Sequence, residues 1–125
     1  MADFGSSESL DIRDNLIRRV AQALVLFETD QVTVRSNTVN TVLYGMTLVD
    51  AHGGLVRRNS VSSRSTGITL DAASTGNAIR DNTFSGNGGT CQDSSTGGGS
   101  HGTHNTWTGN TATIGDDPNG ICPTP

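Results

Sequence analysis

Arg13, Arg35, Arg57 and Arg80 recur at intervals of 22, 22 and 23 residues. A guanidinium presents a planar fork of donors that matches a carboxylate two bonds at a time. Stacked one per repeat, such forks would make a groove for an acidic or hydroxyl-rich polymer. Cations held that close repel each other unless carboxylates or an anionic ligand lie between them. Asp11, Asp14 and Asp81 stand nearby in the chain. A solvated, partly neutralised ladder is therefore the plainer reading of the same column.

A second group is acidic: Glu28, Asp30, Asp50 and Asp71, with His52 among them. Glu28 and Asp50 fall at equivalent places in the repeat, and Asp71 one place off. Stacked carboxylates could hold calcium through hard oxygen ligands. They could also form the acid and base of glycoside cleavage, with His52 as a proton carrier. Acidic turns are just as often solvated surface. His101, His104 and Asp93 resemble a metal set by spacing alone. They lie in a Gly/Ser-rich stretch without a firm third ligand, so no metal is expected there. Asp116–Gly120 reads as a turn, and neither a phosphate loop nor a dinucleotide fingerprint is present.

The elements that must carry these residues follow from the repeat. Ile12-Arg13-Asp14-Asn15, Val34-Arg35-Ser36-Asn37, Val56-Arg57-Arg58-Asn59 and Ile79-Arg80-Asp81-Asn82 share the form aliphatic, Arg, any, Asn. Trp107-Thr108-Gly109-Asn110 is a degenerate fifth copy. An apolar residue follows each Asn two positions on: Ile17, Val39, Val61, Phe84 and Ala112. Ala23-Leu24-Val25-Leu26, Gly45-Met46-Thr47-Leu48 and Gly67-Ile68-Thr69-Leu70 repeat in step with the first block. Inside each block the apolar period is two, the signature of strands with one face inward. Asn15, Asn37, Asn59, Asn82 and Asn110 are expected to form a ladder of stacked amides at a left-handed bend. Gly45 and Gly67 are expected at a second corner, where positive φ is needed.

Composition agrees with a solenoid. Only 32% of residues are hydrophobic and 16 of 125 are glycine. That is little for two packed layers, yet enough for a narrow apolar column between stacked coils. The spacing predicts an all-β parallel β-helix of about five coils and a single domain over 1–125. Within it, 1–8 form an N-terminal segment, 9–84 the regular coils, 85–104 a Gly/Ser-rich insertion loop, and 105–125 the last coil and cap.

The net charge of −4 argues against general nucleic-acid binding, and no apolar run is long enough to cross a membrane. The first residues lack the pattern of a signal peptide. Such a start suits a cytoplasmic protein, or a chain beginning after a removed leader or after earlier coils. Cys91 and Cys122 are an even pair around the insertion. They suggest a disulfide and an extracellular or periplasmic setting, against the alternative of two unrelated thiols. Residues 1–8 look too short and polar to cover a rung. Leu24, Leu26 and Phe27 are then exposed, and either a homodimer through the first coil or truncation from a longer β-helix is expected.

The two block types resemble the right-handed parallel β-helix repeats of pectate-lyase-like proteins, and more closely those of the bacterial carbohydrate-binding and sugar-hydrolase type. The resemblance covers roughly residues 9–112. Residues 102–110 with 120–123 look like the closing coil and cap of secreted members. It implies the right hand of the helix and a carbohydrate partner. That family holds lyases, hydrolases, epimerases and non-catalytic binders, and in its lyase branch an Arg on such a face can act as the base. Five coils favour a binding module for an acidic polysaccharide, lined by Arg13, Arg35, Arg57, Arg80, Asp50, His52 and Asp71. A small or truncated lyase, hydrolase or epimerase is the first alternative, and assembly through an open N-terminal coil the second.

Overall fold

In each aliphatic-Arg-x-Asn block the aliphatic side chain turns inward and the Arg outward, so the block can pair only with copies of itself. A computed structural model describes residues 2–5 and 9–125 (side chains only from residue 9 on, and not at 41), and it has this arrangement. The strands are β1 (Ala2–Gly5), β2 (Asp11–Arg13), β3 (Leu16–Arg18), β4 (Gln22–Phe27), β5 (Thr33–Arg35), β6 (Thr38–Val49) and β7 (Leu55–Arg57). Then follow β8 (Ser60–Leu70), β9 (Ala78–Arg80), β10 (Thr83–Ser85), β11 (Thr90–Asp93), β12 (Thr106–Thr108), β13 (Thr111–Ala112) and β14 (Gly115–Asp117). One sheet runs β12-β9-β7-β5-β2 and the other β1-β4-β6-β8-β10-β13, with β3 on β6, β11 on β8 and β14 on β11. All these pairings are parallel, and Ile12, Val34, Val56, Ile79 and Trp107 stand in one register. The fold is an all-β parallel solenoid of about five turns with a period near 22 residues.

The core is a set of such columns. Leu24, Met46, Ile68 and Cys91 make one. Val39, Val61, Phe84 and Ala112 make another. All are buried, and each large aliphatic removed from water contributes about 1.5–3 kcal/mol.

The Asn ladder forms, with a correction to its backbone. Asn37 Nδ2 donates to Asn59 Oδ1 at 3.0 Å and to the Ile12 carbonyl at 2.9 Å. Asn59 repeats this to Asn82 and Val34, and Asn82 to Asn110 and Val56. Each Oδ1 also accepts the backbone N–H of the Asn one coil earlier. A primary amide buried in this way has both donors and both lone pairs matched. The left-handed residue is the one before each Asn: Asp14, Ser36, Arg58, Asp81 and Gly109 have φ of 56°, 55°, 54°, 58° and 69°. The bend is made there, and the following Asn is left free to align its amide with the stack.

Gly45 and Gly67 need a different explanation from the expected one. Neither has a positive φ. A Cβ on Gly45 would run into the carbonyl oxygen of Gly67, and a Cβ on Gly67 into that of Thr90. These glycines let one rung pass close to the next.

The N-terminal expectation also changes. Strand β1 lies parallel on β4, pairing Ala2 with Leu24 and Phe4 with Leu26, and both leucines are buried. Phe27 alone of the three expected residues stays 45% exposed. Residues 1 and 6–8 lie outside the described residues. Residues 85–104, read as an insertion loop, contain β11, which pairs Cys91, Gln92 and Asp93 with Ile68, Thr69 and Leu70. Residues 86–89 and 94–104 of this segment lie outside strands, with a short turn at Ser100–Gly102.

Candidate ligand-binding face

Arg13, Arg35, Arg57 and Arg80 are in register on β2, β5, β7 and β9, with Thr108 of β12 at the end of the row. Two residues earlier on the same face run Asp11, Thr33, Leu55, Ala78 and Thr106. Arg35 reaches diagonally to the previous rung, where its Nε and Nη2 donate to the two oxygens of Asp11 at 3.2 and 3.1 Å. Arg13 Nε stands 3.9 Å from the same carboxylate. The hydrogen bond from Arg35 holds the Asp11 carboxyl below the ordinary Asp value; desolvation opposes it, and the charges of Arg35, Arg13 and Arg57 each add a smaller lowering. The same bond raises Arg35.

No such partner serves the other half of the row. Among the described residues no carboxylate comes within ion-pair distance of Arg57 or Arg80. The Arg57 Nε is shielded from water and has no hydrogen-bond partner there. Asp14 and Asp81 sit at the left-handed corner beside the column without closing an ion pair to it. Among the described residues the ion pairs of the row are therefore those of Asp11, and Asp14 adds a weaker through-space effect on Arg35.

The acidic cluster gathers at another corner. His52 Nε2 lies 2.8 Å from Asp50 Oδ1, and its Nδ1 lies 2.9 Å from Thr75 Oγ1. Asp71 Oδ1 accepts the Asp50 N–H at 3.1 Å and the Ser74 hydroxyl at 2.7 Å. Asp50, His52 and Asp71 thus come together, but as a braced turn. Beside it is a shallow depression of about 340 Å³ lined by Ser9, Asp30, Gln31, His52 and Gly53. Among the described residues no three His, Cys, Asp or Glu side chains converge in a way that could hold a metal ion.

Three features near the C-terminal end escaped the sequence reading. Asn77 and Asn105 form a second amide stack, with Asn77 Nδ2 donating to Asn105 Oδ1 at 3.0 Å. Its signal was a shared spacing, since 77 to 105 and 82 to 110 are both 28 residues. Asp93 occupies a core position in register with Leu70. It is buried and accepts from Ser95 N and Oγ, Asn105 Nδ2 and Trp107 Nε1. Gly98–Gly102 spells Gly-x-Ser-x-Gly, yet Ser100 Oγ is hydrogen-bonded to the Trp107 backbone in a short turn and has no imidazole partner among the described residues. The Cys91–Cys122 disulfide closes this end. Closing a loop of that length contributes about 3–4 kcal/mol by chain entropy.

A family model described as periplasmic copper-binding protein (NosD) matches residues 3–120. No curated protein and no solved structure matches the chain.

Proposed function

The chain belongs to the NosD family, and on that premise we propose that it is a non-catalytic β-helix module that binds an acidic polysaccharide along its arginine face. The observation that carries this reading is the uncompensated half of the row. Arg57 and Arg80 stand on adjacent rungs, and among the described residues no carboxylate lies within ion-pair distance of either. Two cations about 4.8 Å apart repel, and an anionic polymer lying along the stack removes that repulsion while filling both forks.

Copper enters through the family's description and is weighed against the donors present. Copper takes imidazole, thiolate and thioether ligands. The chain has three His, two Cys and two Met. Both cysteine sulfurs are joined to each other, and Met46 is sealed in the core. His52 has both ring nitrogens engaged. His101 and His104 are the remaining imidazoles, and among the described residues no three His, Cys, Asp or Glu side chains gather in a way that could hold a metal ion. The periplasmic setting in the family's description suits the disulfide, which persists in oxidising compartments.

A glycan array tests the proposal. Wild-type protein is expected to retain acidic glycans over neutral ones, and Arg57→Ala with Arg80→Ala to lose them by about tenfold or more. Retention of neutral glycans alone, or unchanged signal in the double variant, would overturn it.

A further inference from the structure

We propose that Asp11 is an internal competitor for the ligand: by filling the Arg35 fork, it confines a carboxylate-bearing polymer to Arg57 and Arg80. The inference rests on the arginine face being the binding face, and it adds where on that face the ligand sits and what anion it offers.

Asp11 demonstrates the geometry the face accepts. Both its oxygens are taken by one guanidinium, through Nε and Nη2, from the rung above. The same diagonal leads from Arg57 to Thr33 and from Arg80 to Leu55. Neither position carries an acid, so the docking arrangement seen once in the row lacks its anion twice. A polymer with one carboxylate per sugar presents anions at an advance comparable to the rung spacing of about 4.8 Å. Carboxylate suits the fork in the way Asp11 displays, two bonds in one plane. The unmatched Nε of Arg57 adds a local reason. A shielded donor without a partner is unfavourable, and a carboxylate that draws the fork outward relieves it.

Polygalacturonate binding of wild type, Asp11→Asn, Arg35→Ala and the Asp11→Asn/Arg35→Ala pair tests this. Asp30→Asn serves as a control that removes the same charge from an exposed residue of another turn. Asp11→Asn is expected to tighten binding by about threefold to fivefold, the scale of one exposed ion pair. Asp30→Asn should not reproduce that gain. Arg35→Ala alone should weaken binding, because it leaves the Asp11 carboxylate unpaired beside the ligand, and should abolish the gain in the Asp11→Asn background. Retained circular dichroism verifies that each variant is folded. If Arg57→Ala with Arg80→Ala loses binding while Asp11→Asn changes nothing, the competitor role is overturned and the binding face stands. If the double variant binds like wild type, both fail.

Discussion

Asp11 and the Asn column assign opposite tasks to small polar side chains on one stack. Asp11 is exposed, pairs across coils and leaves the row's charge half balanced. The inner asparagines are buried and balanced completely, each taking and giving hydrogen bonds up and down the ladder. The distinction predicts a pH signature. The Asp11 carboxyl is held below its ordinary value in the folded chain by Arg35. A group depressed in this way stabilises the fold at pH above its unfolded value, and that contribution disappears as pH falls through the folded one. Wild type should melt above Asp11→Asn at neutral pH, with the gap narrowing below the ordinary carboxylate range and closing in stronger acid. A gap that is constant down to low pH would contradict the pairing.

The three-residue strands β5, β7, β9 and β10 hold here because each lies between two partner strands, and β2 and β12 close the ends of their sheet. The glycines at the close approaches are what permit it on the second sheet. Gly67→Ala sets a methyl against the Thr90 carbonyl oxygen and the Phe84 ring. It should cost about 1–3 kcal/mol, read as a lower denaturant midpoint; an unchanged midpoint would show that the rungs can part freely. This element was only half legible. Gly45 and Gly67 announce their period in the sequence, but close passage and positive φ both select glycine, and only the register separates them. The Asn column shows the same limit, since its spacing is plain while the left-handed position falls one residue earlier. Asn77 and Asn105 were hidden because the rungs below carry Val32 and Gly54 at that place. Asp11 was legible as a neutraliser of the column, but its partner was not, because the pair joins residues on neighbouring rungs, 24 apart in sequence.

Across the whole molecule the charge is uneven. A chain of net charge −4 sets four of its eight cationic residues in one row, and Arg58 stands at the adjoining corner. Six of its twelve acids lie at other turns, Glu28, Asp30, Asp50 and Asp71 and then Asp116 and Asp117, while Asp11, Asp14 and Asp81 lie on or beside the row. One end of the stack is tied by Cys91–Cys122 and the buried Asp93 contacts. A stiff stack with one cationic stripe suits an extended partner lying along its axis. Calorimetric titration with polygalacturonate, beside the same polymer fully methyl-esterified, tests this most directly. The two ligands share a backbone and differ in charge. Saturable binding to the acid form that weakens with added salt, with none to the ester, is the predicted result. Equal binding of both forms, or of neither, would contradict the account.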